Sequence, residues 1–122
     1  MKSPIQPLPA QMVETVARRF RLLGEPARLR LLQLLECGER TVNQLAEAAG
    51  GNQANVSRHL SAMHTGGLLA RRREGANVYY SIADPVVFQL CDLVCRSARE
   101  QIRVQLGAIE GSVGAGRRKP RP

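Results

Sequence analysis

The chain has 122 residues, which is enough for one domain with a single modest core. Only 3% of the residues are aromatic and none is Trp, so an aromatic stacking platform for single-stranded nucleic acid is not expected. Lysine and arginine number 18 against 10 acidic residues, and the net charge of +8 favours an acidic polymer as partner, with nucleic acid as the default.

The sequence carries no pattern typical of export or of a membrane span. Its longest uncharged apolar stretch is far too short to cross a bilayer, and the first ten residues lack the apolar core of a signal peptide. Cys37, Cys91 and Cys95 are an odd number of cysteines, which fits thiols in a reducing compartment better than a disulfide framework. We therefore expect a cytoplasmic protein with no membrane partner.

Both ends of the chain differ in composition from the middle. Residues 1–9 contain three prolines and are predicted to be a flexible lead-in. Residues 108–122 are predicted to be a flexible basic tail, and residues 10–107 to form the single domain. Residues 107–122 hold four cations and one carboxylate, so residues 1–106 keep a net charge of +5 without them.

Apolar residues recur at helical spacing in the first part of the predicted domain. A stripe from Val13 to Leu23 predicts a first helix that ends at Gly24. Pro26 suits the first turn of a second helix, whose leucines continue towards Gly38, where the helix stops.

Two short helices joined by a pair of glycines follow. Thr41 and Gln44 have the spacing of a capping box, which predicts a third helix over residues 41–49. After Gly50 and Gly51, an asparagine cap predicts a fourth helix over residues 52–65. Two helices joined by a turn that contains glycine are the signature of a helix-turn-helix motif.

The fourth helix divides into an apolar side and a polar side, and Val56, Leu60 and Met63 are predicted to anchor it. In helix-turn-helix proteins the N-terminal half of the second helix meets base edges in the major groove. Gln and Asn can pair with adenine, Arg with guanine, and Ser or a helix N-terminus with phosphate. The candidate DNA-binding residues on the polar side are Gln53, Asn55, Ser57, Arg58 and His59. An ordinary solvated face is the alternative.

Two runs suited to β-strands flank residues 74–77 and predict a hairpin. Arg71, Arg72 and Arg73 lead into its turn, and strand alternation puts Arg72 on the face opposite the other two. A basic hairpin directly after a recognition helix is a wing, which can reach phosphates or the flanking minor groove. Arg73 and Asn77, nearest the tip, are the candidate contacts. Edge-strand charges that block aggregation are the alternative.

Asp84 and Pro85 begin a fifth helix, which is predicted to end near Gly107. The elements together predict an α+β, mostly α fold: a winged helix-turn-helix with five helices and a two-stranded hairpin. Cys91 and Cys95 lie on the last helix at i, i+4 spacing, which puts both sulfurs on one face. Two such thiolates could chelate arsenite or a soft metal ion with a third ligand from elsewhere. Packing as small apolar side chains is the alternative.

The chain resembles the ArsR/SmtB family of bacterial repressors over roughly residues 14–106. The segments that carry the resemblance are LLGEPARLRLL, VSRHLSAMHTGGLL and the hairpin RREG…VYYSI. The resemblance implies a homodimer that binds a double-stranded operator with an inverted repeat and is released by an inducer. By position, it implies that the groove-reading residues are Gln53, Ala54, Asn55, Ser57, Arg58 and His59.

The inducer is less well specified by the sequence. Metal-sensing relatives place a Cys-x-Cys motif on the third helix, or Asp and His ligands on the last, and this chain departs from both patterns. The resemblance leaves arsenite or a soft metal at Cys91 and Cys95, or the sensing of oxidants or reactive sulfur with Cys37 as the partner of a last-helix cysteine. His59 and His64, at i, i+5, are too far round their helix from each other to be a close metal pair.

Two other classes of protein compete with the repressor. A small thiol oxidoreductase would use Cys91 and Cys95, but their spacing is not Cys-x-x-Cys and no βαβ pattern surrounds them. A winged-helix module for protein interactions would have an incidental basic surface. We therefore expect a DNA-binding regulator that is not an enzyme.

Overall fold

The computed structural model describes residues 7–113, with side chains through residue 108. The described residues divide into two compact units, the first ending at Pro85 and the second beginning at Val86. Most of the predicted lead-in (1–9) and of the predicted basic tail (108–122) lies outside the described residues, so the flexibility of both segments stays a prediction.

The first unit begins with two helices that follow the predicted boundaries. Helix α1 spans Ala10–Leu23 and is capped by Gly24. Helix α2 spans Pro26–Leu34, with its proline in the first turn, and continues as a short 3-10 helix over Leu35–Cys37. Gly38 then adopts φ +133°, a backbone conformation that residues other than glycine rarely adopt, and the helix ends there as predicted.

The helix-turn-helix is formed by α3 (Val42–Ala49) and α4 (Gln53–Thr65). The predicted capping box is present: the Gln44 backbone N–H donates to Thr41 Oγ1 at 3.1 Å, and the Thr41 N–H donates to Gln44 Oε1 at 2.9 Å. Gly50 ends α3 in the left-handed region at φ +70°, which glycine adopts without a steric penalty. The sharp turn between the two helices follows from that conformation.

The hairpin is formed by β2 (Leu69–Glu74) and β3 (Asn77–Ile82), with Gly75 at φ +62° in a two-residue turn. Primed turns of this kind need positive φ and match the twist of the strands. A third strand, β1 (Arg40–Thr41), pairs with β3, so the sheet has the order β1-β3-β2 rather than the two strands predicted. Two residues are too few for alternation to reveal a strand in the sequence.

The core of the first unit fixes the inner side of the helix-turn-helix. Val56, Leu60 and Met63 of α4 are buried, as predicted. They belong to a larger set of buried apolar side chains from α2, α3, α4 and the sheet, which includes Leu31, Leu32, Leu45, Leu69 and Tyr80. Rotation of α4 about its axis would take these side chains out of the core, so the polar sides of the helix are held towards solvent.

The second unit is dominated by α5, which spans Pro85–Val113. The helix continues through Gly107, where the sequence predicted its end, because a single glycine costs about 1 kcal/mol in a helix and this one does not adopt positive φ. Residues 108–113 of the predicted tail are therefore helical. Among the residues described, no helix is long and apolar enough to cross a bilayer.

Candidate nucleic-acid interface

The N-terminal half of α4 presents a polar, solvent-facing surface. The Asn52 side chain caps the helix by accepting hydrogen bonds from the N–H groups of Ala54 and Asn55, at 2.7 and 3.1 Å. The positive end of the helix dipole adds to the attraction that this terminus exerts on an anion. The exposed residues of this half are Gln53, Ala54, Asn55, Ser57 and Arg58, whereas His59 is partly buried.

Arg58 and Asn55 lie one turn apart and are hydrogen-bonded to each other in solvent. The Arg58 Nη2 donates to Asn55 Oδ1 at 2.7 Å. A hydrogen bond at an exposed site contributes little to stability, so both groups can exchange it for the edge of a base at small cost. The pair holds a guanidinium fork and a side-chain amide side by side, which are the groups that bind guanine and adenine edges.

A cleft of about 470 Å³ separates α4 from the tip of the hairpin. Gln53, Ala54 and Ser57 line its α4 side, and Asn77 lines the hairpin side, so the structure brings these four predicted residues together. The cleft is completed by Thr41, Val42, Asn43, Ala76 and Val78. Asn43 is exposed and was not predicted. Its place just after the Thr41 cap, in the first turn of α3, is the signal that could have identified it.

The three arginines of β2 have different surroundings. Arg72 lies on the face opposite Arg71 and Arg73, as strand alternation predicts, and is opposite Tyr79 in the register. Its Nε donates to both carboxylate oxygens of Glu39, at 3.1 and 3.0 Å, and its guanidinium carbon lies 4.4 Å from the centre of the Tyr79 ring. Its Nη1 also donates to a Glu74 carboxylate oxygen at 2.7 Å. Arg72 therefore makes its contacts within the sheet and with the segment before it, whereas Arg71 and Arg73 lie on the other face of the hairpin.

The ion pair changes the titration of both its members. The hydrogen bond from Arg72 lowers the pKa of the Glu39 carboxyl, and the pKa of Arg72 is raised by its hydrogen bonds to Glu39 and then to Glu74. Both groups are charged at neutral pH, and strand β2 of the wing is tied through Arg72 to the segment just before β1.

Both histidines have partners inside the first unit. His59 Nδ1 accepts a hydrogen bond from Arg28 Nε at 3.1 Å, so its ring turns one nitrogen towards α2. His64 Nδ1 donates to the carbonyl oxygen of Leu69 at 3.0 Å, and its ring meets Tyr80 edge-on at 6.4 Å. The sequence predicted neither partner, because both contacts join elements whose approach depends on the fold.

The three cysteines are free thiols in two kinds of surroundings. Cys37 is exposed at the end of the 3-10 helix, and Cys91 and Cys95 are partly buried on α5. Burial raises the pKa of the Cys91 thiol, and the charge of the Cys95 thiolate raises it further. In the part of the chain that is described, no three or more His, Cys, Asp or Glu side chains cluster closely enough to hold a metal ion.

Comparison with known proteins gives consistent matches. The model of the bacterial regulatory protein family arsR matches residues 25–71. The chain is 43% identical over 83 residues to the probable mercury resistance operon repressor of Streptomyces lividans, covering 68% of this chain and 66%, just under two thirds, of that protein. It is 38% identical over 89 residues to the transcriptional regulator NmtR of Mycobacterium tuberculosis, covering 73% of this chain and 74% of that protein.

A solved structure has the same architecture. The homodimeric winged helix-turn-helix DNA-binding domain of a possible transcriptional regulator from Mycobacterium bovis superposes with a TM-score of 0.71 at 38% identity, covering 83% of this chain and 94% of that one. The predicted fold class is thereby confirmed.

Proposed function

This chain belongs to the ArsR family of bacterial regulatory proteins, and from that premise we propose that it is a homodimeric repressor that binds an operator and releases it on meeting an inducer. One observation carries the proposal. The exposed polar half of α4 and the tip of the hairpin line one cleft on the first unit, so a recognition helix and a wing can meet one duplex together.

The candidate side chains of α4 and of the hairpin, of which Gln53, Ala54, Ser57 and Asn77 line that cleft, suit different parts of a duplex. Gln53, Asn55 and Arg58 have the amide and guanidinium groups that pair with base edges, and Ala54 offers a methyl to thymine. Ser57 and Asn77 can donate to phosphate oxygens, and so can Arg73, whose face of the hairpin lies opposite the Arg72–Glu39 pair. His59, the other residue predicted to contact DNA, is partly buried and is engaged by Arg28 through one ring nitrogen.

Exposed apolar residues support a dimer. On α1, Met12, Val13, Val16 and Phe20 are between 37% and 54% exposed and recur on one side of the helix. On α5, Leu93, Val94, Ile102, Val104 and Leu106 are also exposed. Apolar surfaces of this kind mark places where proteins associate. Two copies would set two α4 helices about 34 Å apart, in successive major grooves of an inverted repeat.

Fluorescence anisotropy with the DNA upstream of the gene tests the proposal. Arg58→Ala should weaken binding to this DNA by about 1–3 kcal/mol, while binding to a scrambled duplex changes much less, because a base-reading contact is lost. Arg96→Ala removes the same charge from an exposed site on α5 where Arg96 pairs with Asp92 and serves as the control. Equal losses on both duplexes in Arg58→Ala would contradict a base-reading role.

For the inducer we propose arsenite or a soft metal ion bound by Cys91 and Cys95. Thiol redox sensors have lowered pKa values and good exposure, whereas the pKa of Cys91 is raised and both thiols are partly buried. A soft ion instead replaces the thiol protons and removes the repulsion between two thiolates. A relative named as a mercury resistance repressor supports the same class of ligand.

Release of operator DNA separates the two inducer chemistries. Cys91→Ser and Cys95→Ser should each abolish release by arsenite or cadmium, whereas Cys37→Ser should release as the unchanged protein does. Release by a persulfide donor that needs Cys37 together with a last-helix cysteine would instead favour the sensing of reactive sulfur. Unchanged release in all three variants would contradict any role for the cysteines.

A further inference from the structure

Arg28 connects three parts of the first unit. Its side chain is only 16% exposed, which is unusual for a guanidinium on a small domain. Its Nη1 donates to the carbonyl oxygen of Leu22 near the end of α1, at 3.1 Å, and its Nη2 lies 3.6 Å from a Glu25 carboxylate oxygen. Its Nε donates to His59 Nδ1 on α4, at 3.1 Å. The guanidinium therefore joins the end of α1 to the DNA-reading helix.

The end of α1 also meets the far end of α4. A Cβ built on Gly66, which caps α4, would lie 2.2 Å from Leu22 Cδ2. Leu22 thus contacts α4 directly at its C-terminal end and, through Arg28, at His59. His59 directly follows Arg58, so its environment bears on the orientation of the half of α4 that faces the cleft.

We propose that Arg28 is a positioning residue of the DNA-reading surface, and that a proton on His59 breaks the hydrogen bond by which it acts. The proposal rests on the proposed function. A guanidinium has donors only, so Nδ1 of His59 must accept with its lone pair. An imidazolium carries a hydrogen on that nitrogen and cannot accept, so one of the two groups has to move.

The charges around His59 also oppose the present contact once the ring carries a positive charge. Two arginines of α2 approach the ring: Arg28 donates the hydrogen bond to His59, and Arg30 lines the same small cleft as His59. On α4, Arg58 is the preceding residue in the chain. Glu25 is the nearby carboxylate, and it lies beside Arg28. A positive charge on the His59 ring is therefore added close to cations, in a cleft of about 250 Å³ that Asn55 also lines.

His64 provides an internal contrast. Its Nδ1 donates to the carbonyl oxygen of Leu69, and a protonated ring keeps that hydrogen bond. Protonation is thus incompatible with the contact at His59 and compatible with the contact at His64. The difference between the two histidines can be tested by comparing the protein at about pH 8 and at about pH 5.5.

The sign of the pH effect distinguishes positioning from direct contact. If His59 acts by binding phosphate, its protonation strengthens operator binding as pH falls. If it acts through Arg28, operator affinity of the unchanged protein falls on the order of tenfold between about pH 8 and about pH 5.5, since a hydrogen bond to a charged group is lost. Affinity that rises or stays constant over this range would overturn the proposal, and operator binding at about pH 8 would still support the proposed function.

Three variants identify the groups responsible. Arg28→Gln should bind operator on the order of tenfold more weakly at about pH 8 and lose the pH dependence. His59→Asn, which keeps a neutral acceptor near the position of Nδ1, should also lose the pH dependence. His64→Asn is the matched control and should keep it. The same pH dependence in His59→Asn as in the unchanged protein would overturn the proposal.

A measurement on the free protein does not depend on DNA or on the folding of a variant. In ¹⁵N spectra the Arg28 Nε–H should give a resonance at about pH 8 that exchanges slowly with water and is shifted by its hydrogen bond, and that moves towards the position of a solvated guanidinium at about pH 5.5. An Arg28 Nε–H resonance that persists, unshifted, after His59 is protonated would overturn the proposal whatever the operator assay gives.

Discussion

At the scale of single residues, the arginines of this chain differ by their partners rather than by their charge. Arg58 is bonded to its helix neighbour Asn55 and is free to exchange it, Arg28 holds elements together, and Arg72 is tied to Glu39. The sequence predicted which face of β2 Arg72 occupies, because alternation is a local property. It did not predict Glu39, which lies 33 residues away, because that contact exists only after β1 joins the sheet.

Glu39→Gln should release Arg72 from its contact with the segment before β1. The hydrogen bond from Arg72 lowers the pKa of Glu39, so the pair is fully formed at any pH above the ordinary range of a carboxyl and is lost as pH falls through the lowered value. We therefore expect the Arg72 Nε–H of the unchanged protein to stay protected from exchange at about pH 6 and to lose protection only below the pH range in which an ordinary carboxyl titrates.

In Glu39→Gln that protection should already be lost at about pH 6. Glu36→Gln removes the same charge from an exposed position of the neighbouring 3-10 helix, and it should leave the protection intact. Retention of the Arg72 protection in Glu39→Gln would contradict the assigned contact.

At the scale of secondary structure elements, the sequence predicted those boundaries that depend on short-range chemistry. The Thr41 capping box and the Asn52 cap act within four residues, so the spacing alone identified both helix starts. The end of α5 and the existence of β1 were missed. Gly107 ends a helix only if its backbone leaves the helical region, and a two-residue strand exists only because β3 offers its edge.

Substitution of two glycines by alanine should change the stability of the protein in opposite directions. Gly66→Ala puts a Cβ against Leu22 Cδ2, and the overpacking should lower the free energy of unfolding by about 1–3 kcal/mol. Gly107→Ala meets nothing within 4 Å and should raise helicity, with a gain of up to about 1 kcal/mol. Thermal unfolding followed by circular dichroism measures both. A stabilised Gly66→Ala would contradict the close approach of α1 and α4.

At the scale of the whole molecule, composition and charge indicated a nucleic-acid partner but not how the surface is divided. The candidate base-reading residues could be identified from the sequence because helical periodicity predicts that Val56, Leu60 and Met63 face the core. The other sides of α4 then face solvent. The cleft that joins Gln53, Ala54 and Ser57 to Asn77 and Asn43 depends on how the hairpin packs near α3, which no spacing in the sequence encodes.

Phe20→Glu should convert the proposed dimer into a monomer. The ring is 54% exposed on α1 beside other exposed apolar residues, so a charge there opposes association without disturbing the core. Light scattering should give about half the mass of the unchanged protein, with operator affinity lowered because one recognition helix is lost from the complex. Gln11→Glu, an exposed change on the same helix, is the control. A Phe20→Glu protein that stays dimeric would place the interface elsewhere.

The most direct test of the central claim is a map of backbone amide shifts and hydrogen exchange on adding the duplex from upstream of the gene. We predict that the changes concentrate at the start of α4, residues 53–59, and at the hairpin tip, residues 73–77, and that they vanish with a scrambled duplex at physiological salt. Changes confined to α5, or equal changes with both duplexes, would contradict a role for α4 in reading the operator.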